Sequence, residues 1–467
     1  MKITNKKLSK NYYISSASLI ISFLVLCYAL FVLTFIPLKF RLILFLIAVS
    51  VTMLVMLLTQ KALWRATLAA SIFIISAGLV MSQKMINRVV ETKDYEIVEY
   101  VLITNSNSEN NLIKDVGFYG VKFNDTKKAL SLYYPELSEK NIEHIDDPEQ
   151  ILNSLYDQSL DAILVQSSVL SDVEFFDDNF SMKTKTINTF TMKEPRQVIT
   201  KPVDVSKDSF IVYLSGMDAY GDDVMRSRSD MNVLAVVNPK TEKILLVSIP
   251  RDTYVPLACE GDAYDKLTHT GIYGVECSVK TLENFFNIDI NYYIRLNFTG
   301  FVDIVDELGG VDVNSLYEFK TETNHSFVKG INHVDGAAAL AFARERVNID
   351  YGDVSRGRHH QELVKAIMTE LFTSENMNRL PQISTYLQNA VDTNIPSDDI
   401  MSYISTEISN ASSWKFEELN LDGSGDMKVV HSLSDKYKYY VYIANNDSIN
   451  TIKDSINAVM QEEVSDE

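Results

Sequence analysis

The first 90 residues contain no aspartate or glutamate, and nothing else in the chain constrains its fold as much. Within them, 28 uncharged residues separate Lys10 from Lys39, 19 separate Arg41 from Lys61, and 18 separate Arg65 from Lys84. Crossing roughly 30 Å of hydrocarbon at 1.5 Å per residue takes about 20 apolar residues. All three runs meet that requirement, the shorter two with flanking Lys and Arg whose stems reach the interface. We therefore expect a membrane region at 1–90 with three transmembrane helices, near 12–36, 42–60 and 66–83. The alternative for the first run is a cleavable signal peptide. Its apolar part is too long for one, and two more runs follow.

Basic residues set the expected orientation. Lys2, Lys6, Lys7 and Lys10 argue for a cytoplasmic N-terminus, with Lys61 and Arg65 on the same side. Three spans then place residues 84–467 outside the cell, as a multi-pass protein of the cell membrane. Lys84, Arg88 and Lys93 oppose this, but an acidic soluble domain translocates largely regardless of such charges. Beyond residue 90 lie all 62 acids and 33 of the bases, a net charge of −29. That charge repels phosphate backbones and excludes a nucleic-acid binder by bulk electrostatics. With 46% hydrophobic and 10% aromatic residues, the chain is not a disordered polymer either. Cys27 falls in the first run, while Cys259 and Cys277 are the only two beyond it. An oxidising compartment permits a disulfide between them, and spacing alone leaves two free thiols open.

The remainder reads as α/β. In an accessory domain at 91–200, strands are expected at 95–103, 116–123 and 161–165, with helices at 126–133 and 148–157. A Pro-containing linker follows at 195–207. From 201 to 467 a layered α/β/α domain is expected. Its strands fall at 209–215, 231–237, 243–249, 292–297 and 439–443. Its helices fall at 279–286, 301–308 (closed by Gly309-Gly310), 358–373 and 448–460, and 337–342 continues the pattern. Asn238-Pro239-Lys240 is a turn signal. There are no internal repeats.

Ten arginines lie beyond residue 90, and seven fall in two windows: Arg226, Arg228 and Arg251, then Arg344, Arg346, Arg356 and Arg358. Guanidinium forks match phosphate oxygens bidentately, so converging arginines in so acidic a chain suit a phosphate or pyrophosphate. Solvated charge runs are the bland alternative. Asp218 and Asp230 sit beside expected strand ends, where two carboxylates can share Mg²⁺ with phosphate oxygens and water; either one alone reads better as a turn or helix-cap residue. The spacing of His325, His333, His359 and His360 does not suit zinc. No Gly-x-Ser-x-Gly, P-loop or Gly-x-Gly-x-x-Gly motif occurs, which leaves serine-hydrolase, NTPase and dinucleotide functions without support. Residues 284–308 are rich in aromatics and aliphatics, including Phe285, Phe286, Ile290, Tyr293, Phe298 and Phe301. They are either ordinary core or, in part, a slot for a lipid tail.

Several runs together carry a resemblance. They are Gly216-Met217-Asp218, Arg226-Ser-Arg-Ser-Asp230, Ser248-Ile-Pro-Arg-Asp-Thr253, Asp265-Lys-Leu-Thr-His269, Asn297-Phe-Thr-Gly-Phe301, Leu308-Gly-Gly-Val-Asp-Val313, Phe342-Ala-Arg-Glu-Arg346 and Gly352-Asp-Val-Ser-Arg356. The chain resembles the LytR-CpsA-Psr family over about 208–372. Its three spans and extra domain look like the family's streptococcal capsule-locus, CpsA/Wzg-type branch. The resemblance implies a glycopolymer phosphotransferase. It would move a glycan, capsular polysaccharide by the branch, from undecaprenyl pyrophosphate to a peptidoglycan hydroxyl as a phosphodiester, and release undecaprenyl phosphate. It implies Mg²⁺, with Mn²⁺ as a substitute, at Asp218 and Asp230. Pyrophosphate contacts would come from Arg251, Arg344, Arg346 and Arg356, with Arg228 nearby. Asp353 matches a family acid and would serve as base or as orienter of the arginines. Where relatives often carry glutamine after the last arginine, this chain has His359-His360-Gln361, which makes His360 or Gln361 the candidate for that phosphate contact. The implied partners are a polyprenyl-pyrophosphate-linked glycan, peptidoglycan, the membrane and capsule-assembly proteins, with no nucleic acid. A non-catalytic regulator that binds the lipid-linked precursor is the second hypothesis, and a lipid pyrophosphate hydrolase the third; the same site could hydrolyse pyrophosphate as a side reaction.

Overall fold

A computed structural model describes residues 10–33, 36–58, 61–89, 94–108, 113–121, 123–195, 199, 201–217, 226–346, 352–373, 376, 391–410, 414–433 and 435–463, with the side chains of 85–89, 123–125, 352–354 and 408–410 left aside. The chain forms two compact units. One comprises 1–91, 377–385 and 396–413; the other comprises 92–376, 386–395 and 414–467.

The first unit contains helices α1 (Lys10–Val32), α2 (Leu38–Leu58) and α3 (Ala62–Val89), and the helix Ser397–Asn410. Over Lys10–Val32, Leu38–Leu58 and Ala62–Lys84 the first three are long and apolar enough to cross a membrane. Each starts before the expected span because its helix takes in the basic residues at its N-terminal end. Between α1 and α3, Leu19, Ala69 and Ile72 pack together. Arg65 is 1% exposed there. Its guanidinium donates to Ser16 Oγ at 2.6 Å and the Met56 carbonyl at 2.8 Å, and lies 4.0 Å from the centre of the Tyr12 ring. A cation among apolar helices survives only with such partners.

The second unit opens with a mixed five-stranded sheet. Its strands are β1 (Tyr95–Asn105), β2 (Asp115–Tyr119), β3 (Asn141–His144), β4 (Ala162–Gln166) and β5 (Thr184–Pro195), in the order β3-β2-β4-β1-β5. Helix α4 (Phe123–Tyr133) covers one face through Ala129 and Leu130, which meet Val98, Tyr100 and Leu102. Helix α5 (Pro148–Tyr156) and the short α6 (Leu170–Glu174) lie in the cluster on the other face, with Ile151, Leu155 and Val173 meeting Val101 and Ile103. Coverage on both faces explains why β1 is apolar at consecutive positions. The sequence expectation missed β5 altogether. Thr184-Lys-Thr-Ile-Asn-Thr-Phe-Thr carries the β-branched and aromatic content of a strand, but only pairing along β1, from Tyr95↔Pro195 to Asn105↔Thr184, gives it a place.

A second sheet follows. Its strands are β6 (Phe210–Met217), β7 (Ser229–Asn238), β8 (Lys243–Ser248), β11 (Tyr292–Asn297), β16 (Val391–Thr393) and β17 (Lys415–Asn420), in the order β16-β11-β6-β7-β8-β17. Strands β6, β8, β11 and β17 run one way, and β7 and β16 run against them. Helices α7 (Val275–Phe286) and α11 (Asn446–Gln461) pack Leu282, Phe286, Ile452 and Ile456 on one face, while α8 (Phe298–Glu307), α9 (Gly336–Arg344) and α10 (Gly352–Leu371) complete the layer set. Paired short strands decorate it: β9 (Tyr254–Pro256) with β10 (Tyr264–Lys266), β12 (Val311–Ser315) with β15 (Gly330–Val334), β13 (Phe319–Lys320) with β14 (Ser326–Phe327), and β18 (Gly423–Lys428) with β19 (Tyr439–Ala444).

The core of the first sheet reaches past the expected boundary near residue 200. Leu257, Ile272, Tyr273 and Cys277, from the segment that runs from β9 into α7, join the accessory-sheet cluster that contains Tyr119, Ile163 and Val169. Both sheets lie in one compact unit. Cys277, on α7, is disulfide-bonded to Cys259, their Cα atoms 5.3 Å apart.

Candidate functional site

All four co-directional strands end at one edge of the second sheet, where β7 begins: Met217 pairs with Ser229, Asn297 with Met217, and Asn420 with Ser248. The carboxyl ends of strands are where α/β sheets bind ligands. Several candidate residues stand at this edge for reasons of chain position. Asp230 is the second residue of β7, and Arg251 follows β8 by three residues. The Arg251 guanidinium donates to Asp230 Oδ2 at 2.6 Å, and the Thr268 hydroxyl lies 3.4 Å from Asp230 Oδ1. Arg251 Nε is buried with no hydrogen-bond partner among the described residues. A buried guanidinium donor left unpaired is costly, and an anion would satisfy it.

Arg344 ends α9, exposed, with its guanidinium 4.8 Å from the centre of the Phe298 ring; Phe298 opens α8 directly after β11. The histidine pair explains how the second arginine window reaches this edge. His359 Nδ1 lies 2.8 Å from the Phe342 carbonyl, and His360 Nε2 lies 3.0 Å from that of Ala343. These are carbonyls of the last turn of α9, which has few intrahelical partners. The pair thus ties α10 to the end of α9 and brings Arg356, one turn before His360, beside it. Arg356 is buried, and Arg346 is exposed just past α9. Ring contacts with Phe342, 3.9 Å between centroids, complete the setting of His359.

Burial, then the charge of Arg356, pushes the His360 pKa down to about 3, so His360 is a neutral donor to a backbone carbonyl. Gln361 is fully buried and donates to the Leu246 and Leu419 carbonyls at 3.0 and 2.7 Å, which commits its amide nitrogen to β8 and β17. The described hydrogen bonds of both side chains go to backbone carbonyls. Asp218 lies outside the described residues, as does the side chain of Asp353 in the first turn of α10. No three His, Cys, Asp or Glu side chains converge on a metal site among the described residues. The donor chemistry of Asp230, a partly exposed carboxylate at the sheet edge, suits a hard cation that takes its other ligands from phosphate and water.

Arg226 is not part of this edge. It is 3% exposed, its Nε donates to Glu96 at 2.9 Å and its Nη1 to Glu194 at 2.7 Å. Arg295, absent from either window, reaches Glu96 at 2.7 Å and Asp392 at 2.6 Å. Burial alone would push the Arg226 guanidinium down, but Glu96 and then Glu194 hold it above its usual value. The network was invisible in the sequence because its members are scattered from residue 96 to residue 392. Arg228 does stand near Asp230 in sequence, but two of its nitrogens meet the accessory sheet's α6 region: Nη1 donates to Ser171 Oγ at 3.0 Å, and Nη2 pairs with Asp172. The aromatic run at 284–308 divides. Phe286, Ile290 and Tyr293 are core, while Phe298 and Phe301 are half-buried.

Guanidinium groups and a carboxylate gathered at the strand ends of an α/β sheet are a chemistry that suits a multiply charged anion. The LytR_cpsA_psr family model matches residues 174–458, well over half of the chain, and the chain belongs to the LytR-CpsA-Psr family. It is 35% identical over 246 residues to a polyisoprenyl-teichoic acid–peptidoglycan teichoic acid transferase TagU of Bacillus cereus, covering 52% of this chain and 76% of that one. It is 35% identical over 252 residues to the TagU of Bacillus mycoides, covering 53% and 78%. The crystal structure of B. subtilis TagU is similar at 27% identity and a TM-score of 0.43, covering 55% of this chain and 99% of that one.

Proposed function

We propose that this chain transfers a glycopolymer from a polyprenyl-pyrophosphate carrier to a peptidoglycan hydroxyl. The observation that carries this is the Arg251–Asp230 pair at the strand-end edge, with a buried, unpartnered Arg251 Nε, in a chain whose residues beyond 90 are strongly acidic. The teichoic acid transferase activity for which the TagU relatives are named supports the same class of reaction.

The acceptor oxygen attacks the phosphorus next to the glycan. The bond from that phosphorus to the bridging oxygen breaks, polyprenyl phosphate leaves, and a phosphodiester joins glycan to acceptor. The hydroxyl proton passes to a base, for which Asp353 is the candidate. Arg228, Arg251, Arg344, Arg346 and Arg356 hold the phosphates and stabilise the charge that develops on the bridging oxygen. Asp218 and Asp230 would hold Mg²⁺, which neutralises phosphate charge when bound. Capsular polysaccharide is the proposed polymer, on the strength of the three apolar helices and the additional sheet. The membrane helices would keep the site beside its lipid-linked donor. An N-terminus inside and residues 84–467 outside agree with the basic flanks and with a Cys259–Cys277 disulfide.

The test incubates the full-length chain in detergent with a short lipid-pyrophosphate-linked glycan, Mg²⁺ and peptidoglycan fragments, and seeks the joined product by mass spectrometry. Product from the parent, lost in Arg344→Ala and Asp218→Ala, supports the transferase. Lipid binding with no turnover over varied acceptors refutes it in favour of a precursor-binding regulator, and release of free glycan phosphate alone favours hydrolysis.

A further inference from the structure

We infer that the β1–β5 sheet completes the anion site, with Asp172 as the positioning residue of Arg228. The inference rests on the anion-binding function proposed above and adds a role for a part of the chain that precedes most of the family match, which begins at residue 174.

Three observations carry it. The segment 226–230 is pinned at alternate residues to the first sheet and to α6 beside it. The Arg226 N–H donates to the Ile97 carbonyl at 2.7 Å while its side chain meets Glu96 and Glu194, and Arg228 meets Ser171 and Asp172. From the same stretch, Asp230 engages Arg251 at the strand ends. The chain that sets Asp230 in place is thus held from the accessory side. Second, the Arg228–Asp172 contact is largely enclosed, the two side chains 15% and 12% exposed. Third, the backbone between and just past the two anchors packs directly against that of Gly271. A Cβ at Gly271 would lie 2.3 Å from the Ser227 carbonyl oxygen and 3.0 Å from the Ser229 nitrogen.

A long arginine side chain loses rotamer freedom when it binds an anion, and a partner that orders it beforehand removes that cost from binding. Asp172 also brings a negative charge that opposes an incoming phosphate. The two effects predict opposite results. If anchoring dominates, removing Asp172 weakens anion binding. If Asp172 acts as a latch that competes for Arg228, removing it tightens binding. The double anchorage of 226 and 228 favours a fixed support over a latch.

The experiment uses the full-length chain in detergent and geranylgeranyl pyrophosphate as the probe, with binding followed by calorimetry. Asp172→Ala should raise the Kd about tenfold, and Asp172→Asn, which keeps an acceptor oxygen, should restore most of the loss. In an Arg228→Ala background, Asp172→Ala should add no further loss, which a general structural defect would not reproduce. Unchanged or tighter binding by Asp172→Ala overturns the inference. A crystal structure of Asp172→Ala gives a ligand-free arm: displacement of the Arg228 side chain supports the inference, and an unmoved one overturns it. If the parent fails to bind the probe, the functional proposal falls, and the crystallographic arm still decides what Asp172 does to Arg228.

Discussion

Replacing His360 by glutamine tests the assignment of the histidine pair to helix anchoring. Burial, then Arg356, lowers the His360 pKa to about 3, and burial lowers that of His359 to about 4. An unfolded histidine titrates near 6.5. The native state therefore keeps both rings neutral while the unfolded chain takes up protons below about pH 6.5. Stability from each histidine is fully present above that value and is lost as pH falls toward the folded pKa. Between about pH 6 and 4.5 the loss approaches 1.4 kcal/mol per pH unit for each ring. Glutamine does not titrate, and its amide can still reach the Ala343 carbonyl. The stability of His360→Gln relative to the parent should therefore improve by up to about 1.4 kcal/mol per pH unit of acidification in that window, with titrations common to both chains cancelling. Urea unfolding of the detergent-solubilised chains, followed by near-UV circular dichroism from pH 7.5 to 4.5, measures this. A difference that does not vary with pH, or that grows in the parent's favour on acidification, refutes the buried neutral histidine. Transfer activity should show the same pH profile in parent and variant between pH 6 and 8, because His360 carries no charge there.

Three further outcomes are expected. Gly271→Ala drives a methyl group against the backbone of 227–229, and should cost about 1–3 kcal/mol and lower kcat/KM by disturbing Arg228 and Asp230, read by thermal unfolding and the transfer assay. Arg226→Met leaves Glu96 and Glu194 buried without that cation, and a loss of about 3–5 kcal/mol should appear as a lower Tm; an unchanged Tm would contradict the network. Cys277→Ser should lower stability by about 3 kcal/mol and abolish the mobility difference between reduced and non-reduced protein on gels.

The elements that were legible in the sequence are those whose signals are local. The three apolar runs, strands such as Tyr292–Asn297 and the Gly309-Gly310 helix stop, with φ of 88° and 91°, depend on neighbours a few residues away. Strand β17, by contrast, reads Lys415-Phe-Glu-Glu-Leu-Asn420 and is exposed or half-exposed throughout; only its parallel pairing with β8 makes it a strand. The site divides in the same way. Clustering of arginines in an acidic chain pointed to an anion, but composition cannot tell Arg226 from Arg228, two residues apart with the same flanking serine. Only the partners that folding brings within reach put one into an ion network with Glu96 and Glu194 and the other against Asp172.

What the sequence by itself determined is the partition of the chain, the succession of strands and helices, and the family with its set of charged residues, since charge, hydropathy and motif are carried by contiguous residues. The tertiary structure alone decided that the segment running from β9 into α7 joins the core of the first sheet, that His359 and His360 hold one helix to the end of another, and that acids of the first sheet hold Arg226 while Asp172 of α6 holds Arg228. Those depend on residues tens to hundreds of positions apart. Their meeting is set by the sum of many pairings and packings, which no local stretch encodes.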